Sequence, residues 1–210
     1  MFNARHPPID LVRALGSDAE VYEPDWNSVG EDVSLASTDR YSTPEWLCEL
    51  IRLALGGTID CDPFADPTSP VQAHHYIDAR RGGNGYRDQW PGYRALVNAG
   101  YGGKLPQLTA ARCREQWLRG FELVNVCPAA VGSKYWERDV WPCASAVAFL
   151  GRVAFPAGVD VYNRKGEFVC AAGVAQSGNR TEIAAVYQGP HVLRFQRLLE
   201  HRGPVIVPSR

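Results

Sequence analysis

Arg94-Ala95-Leu96-Val97-Asn98-Ala99-Gly100-Tyr101 is the stretch on which the reading of the chain turns. Residues 94–97 have the length and apolar character of a short strand buried on both faces, and Asn98-Ala99-Gly100 then stops it with turn formers. A strand without polar alternation belongs inside a sheet covered on both sides, and such sheets are mainly parallel. In parallel α/β sheets a ligand lies beyond the carboxyl ends of the strands. Asn98 therefore stands where a ligand-binding side chain is expected.

Reading outward, Ser42-Thr43-Pro44-Glu45 predicts a helix start, with Thr43 as cap, Pro44 at the first position and Glu45 in the first turn. Leu47, Leu50, Ile51, Ala54 and Leu55 share one face, and Gly56-Gly57 ends the helix. A strand over Thr58 to Cys61 stops at Asp62-Pro63, so Asp62 stands at a strand end as Asn98 does. A turn-rich stretch with a short helix near Val71–Ile77 leads to Gly82-Gly83-Asn84-Gly85. A helix from Pro106 to Arg119 follows, then a strand over Leu123–Cys127 halted by Pro128. Further elements are a helix around Ser133–Trp141, strands at Ala146–Leu150, Phe168–Val174 and Ile183–Tyr187, and a helix at His191–Glu200. Strands alternating with helices predict an α/β fold, a mainly parallel sheet with helices on both faces. Residues 1–40 carry prolines and no periodicity, and read as an N-terminal arm or extension to a domain spanning 41–210.

Composition narrows the classes. The 210 residues suffice for one domain with a real core, and 45% hydrophobic with 21% charged residues is ordinary for a globular chain. No apolar run approaches the ~20 residues of a membrane helix. Met1-Phe2-Asn3-Ala4-Arg5 lacks the apolar core of a secretory signal, so a cytoplasmic address is expected. The six cysteines form no Cys-x-x-Cys pair and read as buried, reduced thiols. Five histidines without ligand spacing imply no metal. A net charge of −1 excludes a wholly basic nucleic-acid-binding surface. A local strip is still open to Arg80-Arg81, Arg112, Arg114, Arg119, Lys104 and Arg152.

Five short motifs follow one another in order. They are Thr43-Pro44-Glu45-Trp46-Leu47; Asp60-Cys61-Asp62-Pro63-Phe64-Ala65; Asn84-Gly85-Tyr86 with Trp90-Pro91-Gly92; Val97-Asn98-x-x-Tyr101-Gly102; and Val126-Cys127-Pro128-Ala129 with Trp136 and Phe149 to Phe155. Together they resemble the phage DNA N6-adenine methyltransferase family over roughly residues 41–200. The resemblance implies a Rossmann-like fold, S-adenosylmethionine as cofactor and DNA as partner, in the host cytoplasm if the chain is phage-encoded. It makes Asn98, Ala99, Gly100 and Tyr101 the catalytic loop, Asn-Pro-Pro-Tyr in the family and here without either proline. It sets Thr43 and Pro44 at the methionine end of the cofactor and Asp62 on its ammonium group, with Pro63, Phe64 and Ala65 completing that loop. Asn84 takes the place of a cofactor-contacting aspartate and lacks its charge.

The chemistry suits these residue types. The N6 lone pair of adenine is delocalised into the ring, so acceptors for both N6 hydrogens help the nitrogen towards sp3 geometry. A carboxamide oxygen (Asn98) and a backbone carbonyl (Ala99) can be those acceptors, and Tyr101 can stack on a base flipped out of the duplex. Losing both prolines costs ~1–3 kcal/mol of pre-organisation. Plainer roles stand beside these: a strand-to-turn Asn with a packing tyrosine, an Asp-Pro turn at Asp62, a helix cap at Thr43 and a turn at Asn84. At the level of function, the alternatives are a decayed methyltransferase-fold binding module and an enzyme acting on a different or modified base. Oligomeric state is not legible.

Overall fold

The computed structural model describes residues 24–26, 41–65, 69–158, 160–162, 165–175 and 181–209. The expected N-terminal arm, apart from 24–26, lies outside these residues. Helix α1 spans Glu45–Ala54, burying Leu47, Cys48, Ile51 and Ala54. Gly56 and Gly57 end it at φ of 87° and 95°, the left-handed backbone glycine adopts without a Cβ clash. Pro44, not Thr43, occupies the cap position, and no side chain caps the helix.

The strands are β1 (Cys61–Asp62), β2 (His75–Tyr76), β3 (Arg94–Val97), β4 (Glu122–Pro128), β5 (Ala146–Gly151), β6 (Val161–Tyr162), β7 (Phe168–Cys170), β8 (Ile183–Gln188) and β9 (Val205–Ile206). Helix α2 spans Leu105–Leu118 and α3 spans Val192–Leu199, with a π-helical turn at Trp136–Val140. The segment expected as a short helix near Val71–Ile77 instead contributes β2. Strands β6 and β7 form a separate antiparallel pair.

Seven strands make one sheet in the order β2-β1-β3-β4-β8-β5-β9. The pairings β1–β2, β1–β3 and β3–β4 are parallel, whereas β4–β8, β5–β8 and β5–β9 are antiparallel. The two longest registers, β4–β8 and β5–β8, are antiparallel. The expectation of a mainly parallel, Rossmann-like sheet is thus corrected to a mixed sheet in an α/β protein. The physical reason lies between β5 and β8, where the β6–β7 pair stands in place of a crossover helix. With no crossover helix among the described residues there, β8 enters antiparallel between β4 and β5.

Alternate residues of the central strands serve two cores. Leu96, Val124, Val126, Ala185 and Tyr187 face α1 and α3, joined by Leu47, Ile51 and Phe195. On the opposite face Cys127, Val147 and Val186 pack with Ala110 of α2 and Trp136, while Ala95, Val97 and Leu123 pack with Cys113. Burial on both faces explains why these strands carry no polar alternation. Among the described residues, no helix is long and apolar enough to cross a membrane.

Candidate functional site

Strands β1, β3 and β4 run the same way, so their carboxyl ends open on one edge of the sheet. Asp62 ends β1, Asn98 follows β3, and Cys127-Pro128 end β4. The segment before α1 reaches this edge because Ser42 N donates to the Pro156 carbonyl at 2.8 Å. Thr43, left outside the helix, is thereby aimed at the loop.

Asn98 is gripped at both ends of its carboxamide. Its Nδ2 donates to Thr43 Oγ1 at 3.0 Å, and its Oδ1 accepts from the Tyr101 hydroxyl at 2.9 Å. The Tyr101 hydroxyl also lies 3.4 Å from the Val126 carbonyl at the end of β4. Its ring meets Phe155 edge-on at 5.9 Å between centroids. Burial, and then the proximity of Cys127 and Tyr135, hold the Tyr101 phenol well above its usual pKa. It is a neutral hydrogen-bond donor at physiological pH. Ala99 is buried, and Gly100 is half-buried beside it.

Asp62 is 2% exposed. Its Oδ1 accepts from the Phe64 amide at 3.0 Å, folding Asp62-Pro63-Phe64 into a side-chain-capped turn. The carboxylate also lies near α1: burial first, and Asp62 next, push the Cys48 thiol up to about 12. Cys48 Sγ in turn lies 3.5 Å from the Thr43 carbonyl. A buried carboxylate at a strand end suits a cationic ligand group, since an opposite charge offsets its desolvation. Pro63 is buried behind it, and Ala65, half-buried, closes the described part of the loop.

Asn84 is spent on a turn. Its Oδ1 accepts from Tyr86 N at 3.0 Å and Arg87 N at 3.3 Å, while its own amide donates to Asp88 Oδ2 at 2.8 Å. That turn packs onto the Asp62 loop so tightly that a Cβ on Gly85 would lie 2.1 Å from the Pro63 carbonyl oxygen. Trp90 Nε1 donates to the Gly85 carbonyl at 2.7 Å, and Phe64 and Tyr86 meet at 4.7 Å between ring centroids. The two loops form one unit.

The edge therefore joins Thr43, Asn98 and Tyr101 directly. Asp62 ends the neighbouring strand β1, and Pro63, Phe64 and Asn84 join the edge through the Gly85 turn. From sequence, Tyr135 and Trp136 read as packing residues rather than base-stacking platforms. Both close on the end of β4, where Trp136 Nε1 donates to the Pro128 carbonyl at 3.1 Å and Tyr135 Oη lies 3.4 Å from it. Tyr135, beside Cys127, has its pKa pushed up to about 12, chiefly by burial. Trp26 was not singled out, and its only signal is an aromatic residue in a polar, proline-flanked stretch.

Only part of the arginine strip is surface: Arg81 and Arg119 are exposed, whereas Arg112 is buried and Arg114 half-buried. Arg112 is 3% exposed, with its Nη1 at 2.7 Å from Glu115 Oε2. Arg114 faces the fully buried Asp139 at 3.6 Å, and Arg119 is ion-paired with Glu115 at 2.7 Å. Arg81 lies 3.8 Å from Asp78. Lys104, Lys134 and Arg152 are also exposed, in the loops after β3, β4 and β5. Among the described residues, no group of three or more His, Cys, Asp or Glu side chains could hold a metal ion. No family model, no curated protein and no solved structure matches the chain.

Proposed function

We propose that the chain is an S-adenosylmethionine-dependent methyltransferase acting on the N6 amine of adenine in DNA. The observation that supports this reading best is the fixed carboxamide of Asn98 at a strand end, next to the strand whose end carries the buried Asp62. In this reading Asn98 Oδ1 and the Ala99 carbonyl accept the two N6 hydrogens. A carbonyl oxygen has two lone pairs, so Oδ1 can accept one such bond beside that from Tyr101. Asp62 pairs with the ammonium of the methyl donor, and Thr43 sets the orientation of the amide. The reading needs only the parallel set β1, β3 and β4, and is independent of the antiparallel half. Positioning and exclusion of water supply most of the acceleration, since the sulfonium is already a good leaving group.

A second reading, a non-catalytic binding module, is favoured by Tyr101. Its hydroxyl is tied to Asn98 and its ring is packed on Phe155 rather than presented to a base. Calorimetric titration with S-adenosylmethionine, alongside Asp62→Ala, separates the two. Micromolar binding lost in Asp62→Ala, followed by methylation of adenine-containing DNA, is the expected result. A folded protein that takes up no donor is the module.

A further inference from the structure

We infer that Trp26 is a positioning residue for the Asn98–Tyr101 loop, stiffening by packing a backbone that prolines would stiffen covalently. Its functional consequence rests on the methyl-transfer reading of that loop; its structural consequence does not. Trp26 belongs to the N-terminal region that precedes α1, yet with Phe64 and Leu108 it packs against the buried cluster of Tyr86, Ala99 and Leu105. Ala99 is the residue whose carbonyl the site would use, and it is 7% exposed beneath this cover. Tyr86 and Phe64 belong to the Asn84 and Asp62 loops. The indole thus packs on a cluster to which all three loops of the site contribute.

The indole is held by a fixed cation. The Arg112 guanidinium lies 5.5 Å from the Trp26 ring centroid and 5.8 Å from that of Trp90, within the range of cation–π attraction to both. Arg112 does not wander, because Nη2 donates to the Asp88 carbonyl at 2.7 Å and Nη1 to Glu115 Oε2 at 2.7 Å. Asp88 also binds the Asn84 amide. Arg112, a candidate for a basic strip in the sequence, is therefore the post to which Trp26 is fastened. A loop with Ala99-Gly100 at its centre gains its order from this cover, as buried side chains lock neighbours that they pack against.

The test compares the full-length protein with Trp26→Ala and Trp26→Phe by hydrogen exchange, and by calorimetry with S-adenosylmethionine. In Trp26→Ala the amides of 99–103 should exchange at least tenfold faster, while those of β8 keep their protection and Trp26→Phe restores most of the difference. Donor affinity should fall about tenfold in Trp26→Ala and recover in Trp26→Phe. Unchanged exchange at 99–103 overturns the inference whatever the donor does. Equal loosening of β8 and the loop in both variants also overturns it, since Trp26 would then be only a general stability residue. Faster loop exchange in a protein that never binds the donor leaves the brace standing and removes the methyl-transfer reading instead.

Discussion

Asn98 shows how much one amide can hold. Removing it in Asn98→Ala leaves the buried Thr43 hydroxyl and the Tyr101 hydroxyl without their shared partner. The expected cost is about 1–3 kcal/mol in urea unfolding, together with a loss of methylation of about a hundredfold or more. Tyr101→Phe is the sharper experiment. It deletes one hydrogen bond, about 0.5–1.5 kcal/mol, but keeps the ring and releases Asn98 Oδ1. Methylation equal to or above that of the parent is expected; a collapse to the level of Asn98→Ala would mean that the phenol itself does chemistry. Of these contacts the sequence made Asn98 and Tyr101 visible through their spacing. The partner of Thr43 was not visible. A threonine before Pro-Glu reads as a cap, and only the tertiary pairing of Ser42 with Pro156 turns its hydroxyl towards Asn98.

Elements follow the same division. Strand β3 was legible to the residue, because an apolar run closed by Asn-Ala-Gly has few other solutions. The end of α1 was legible through Gly56-Gly57, and its start to within one residue, Pro44 being the cap rather than the first helical position. Strand β2 was not: two residues have no periodicity, and the chain before them turns at Gln72, the one non-glycine described with a positive φ, 54°. The direction of β8 was equally hidden, since Ile183 to Gln188 is buried throughout, as a parallel strand would be. Direction depends on what fills residues 152–182, and a β pair there leaves the same apolar strands on either side. At this scale the coupling of the Asp62 and Asn84 loops makes its own prediction. Gly85→Ala drives a methyl into the Pro63 carbonyl, an overpacking that should cost about 1–3 kcal/mol by urea unfolding. It should also weaken donor binding, although residue 85 itself has no group to offer the donor. Full donor affinity in Gly85→Ala would show that the two loops are independent.

Over the whole molecule, charge and protons are distributed unevenly. Lys104, Lys134 and Arg152 stand in consecutive carboxyl-edge loops of a chain whose net charge is −1. Replacing all three by alanine should lower the slope of log affinity for DNA against log salt by about 3; an unchanged slope would move the nucleic acid to another face. All six cysteines are buried and free. Burial pushes Cys48 and Cys127 up to about 12, and Tyr135 likewise to about 12. Such groups keep their protons in the folded state and lose them on unfolding, so the unfolded chain binds fewer protons. Their stabilisation is complete below pH 9 and declines as pH rises towards 12. Unfolding midpoints should therefore be flat from neutrality to pH 9 and fall steeply above it, and alkylation at pH 8 should leave the native thiols unmodified. The position of β8 has one more consequence, for the order of synthesis. Strands β4 and β5 leave the ribosome earlier, and each keeps an unfilled backbone edge until residues 183–188 emerge between them. A nascent chain stalled short of that point leaves β4 open on one edge and β5 open on both, the form most prone to pair with a neighbouring copy. The central sheet closes only once residue 188 has emerged.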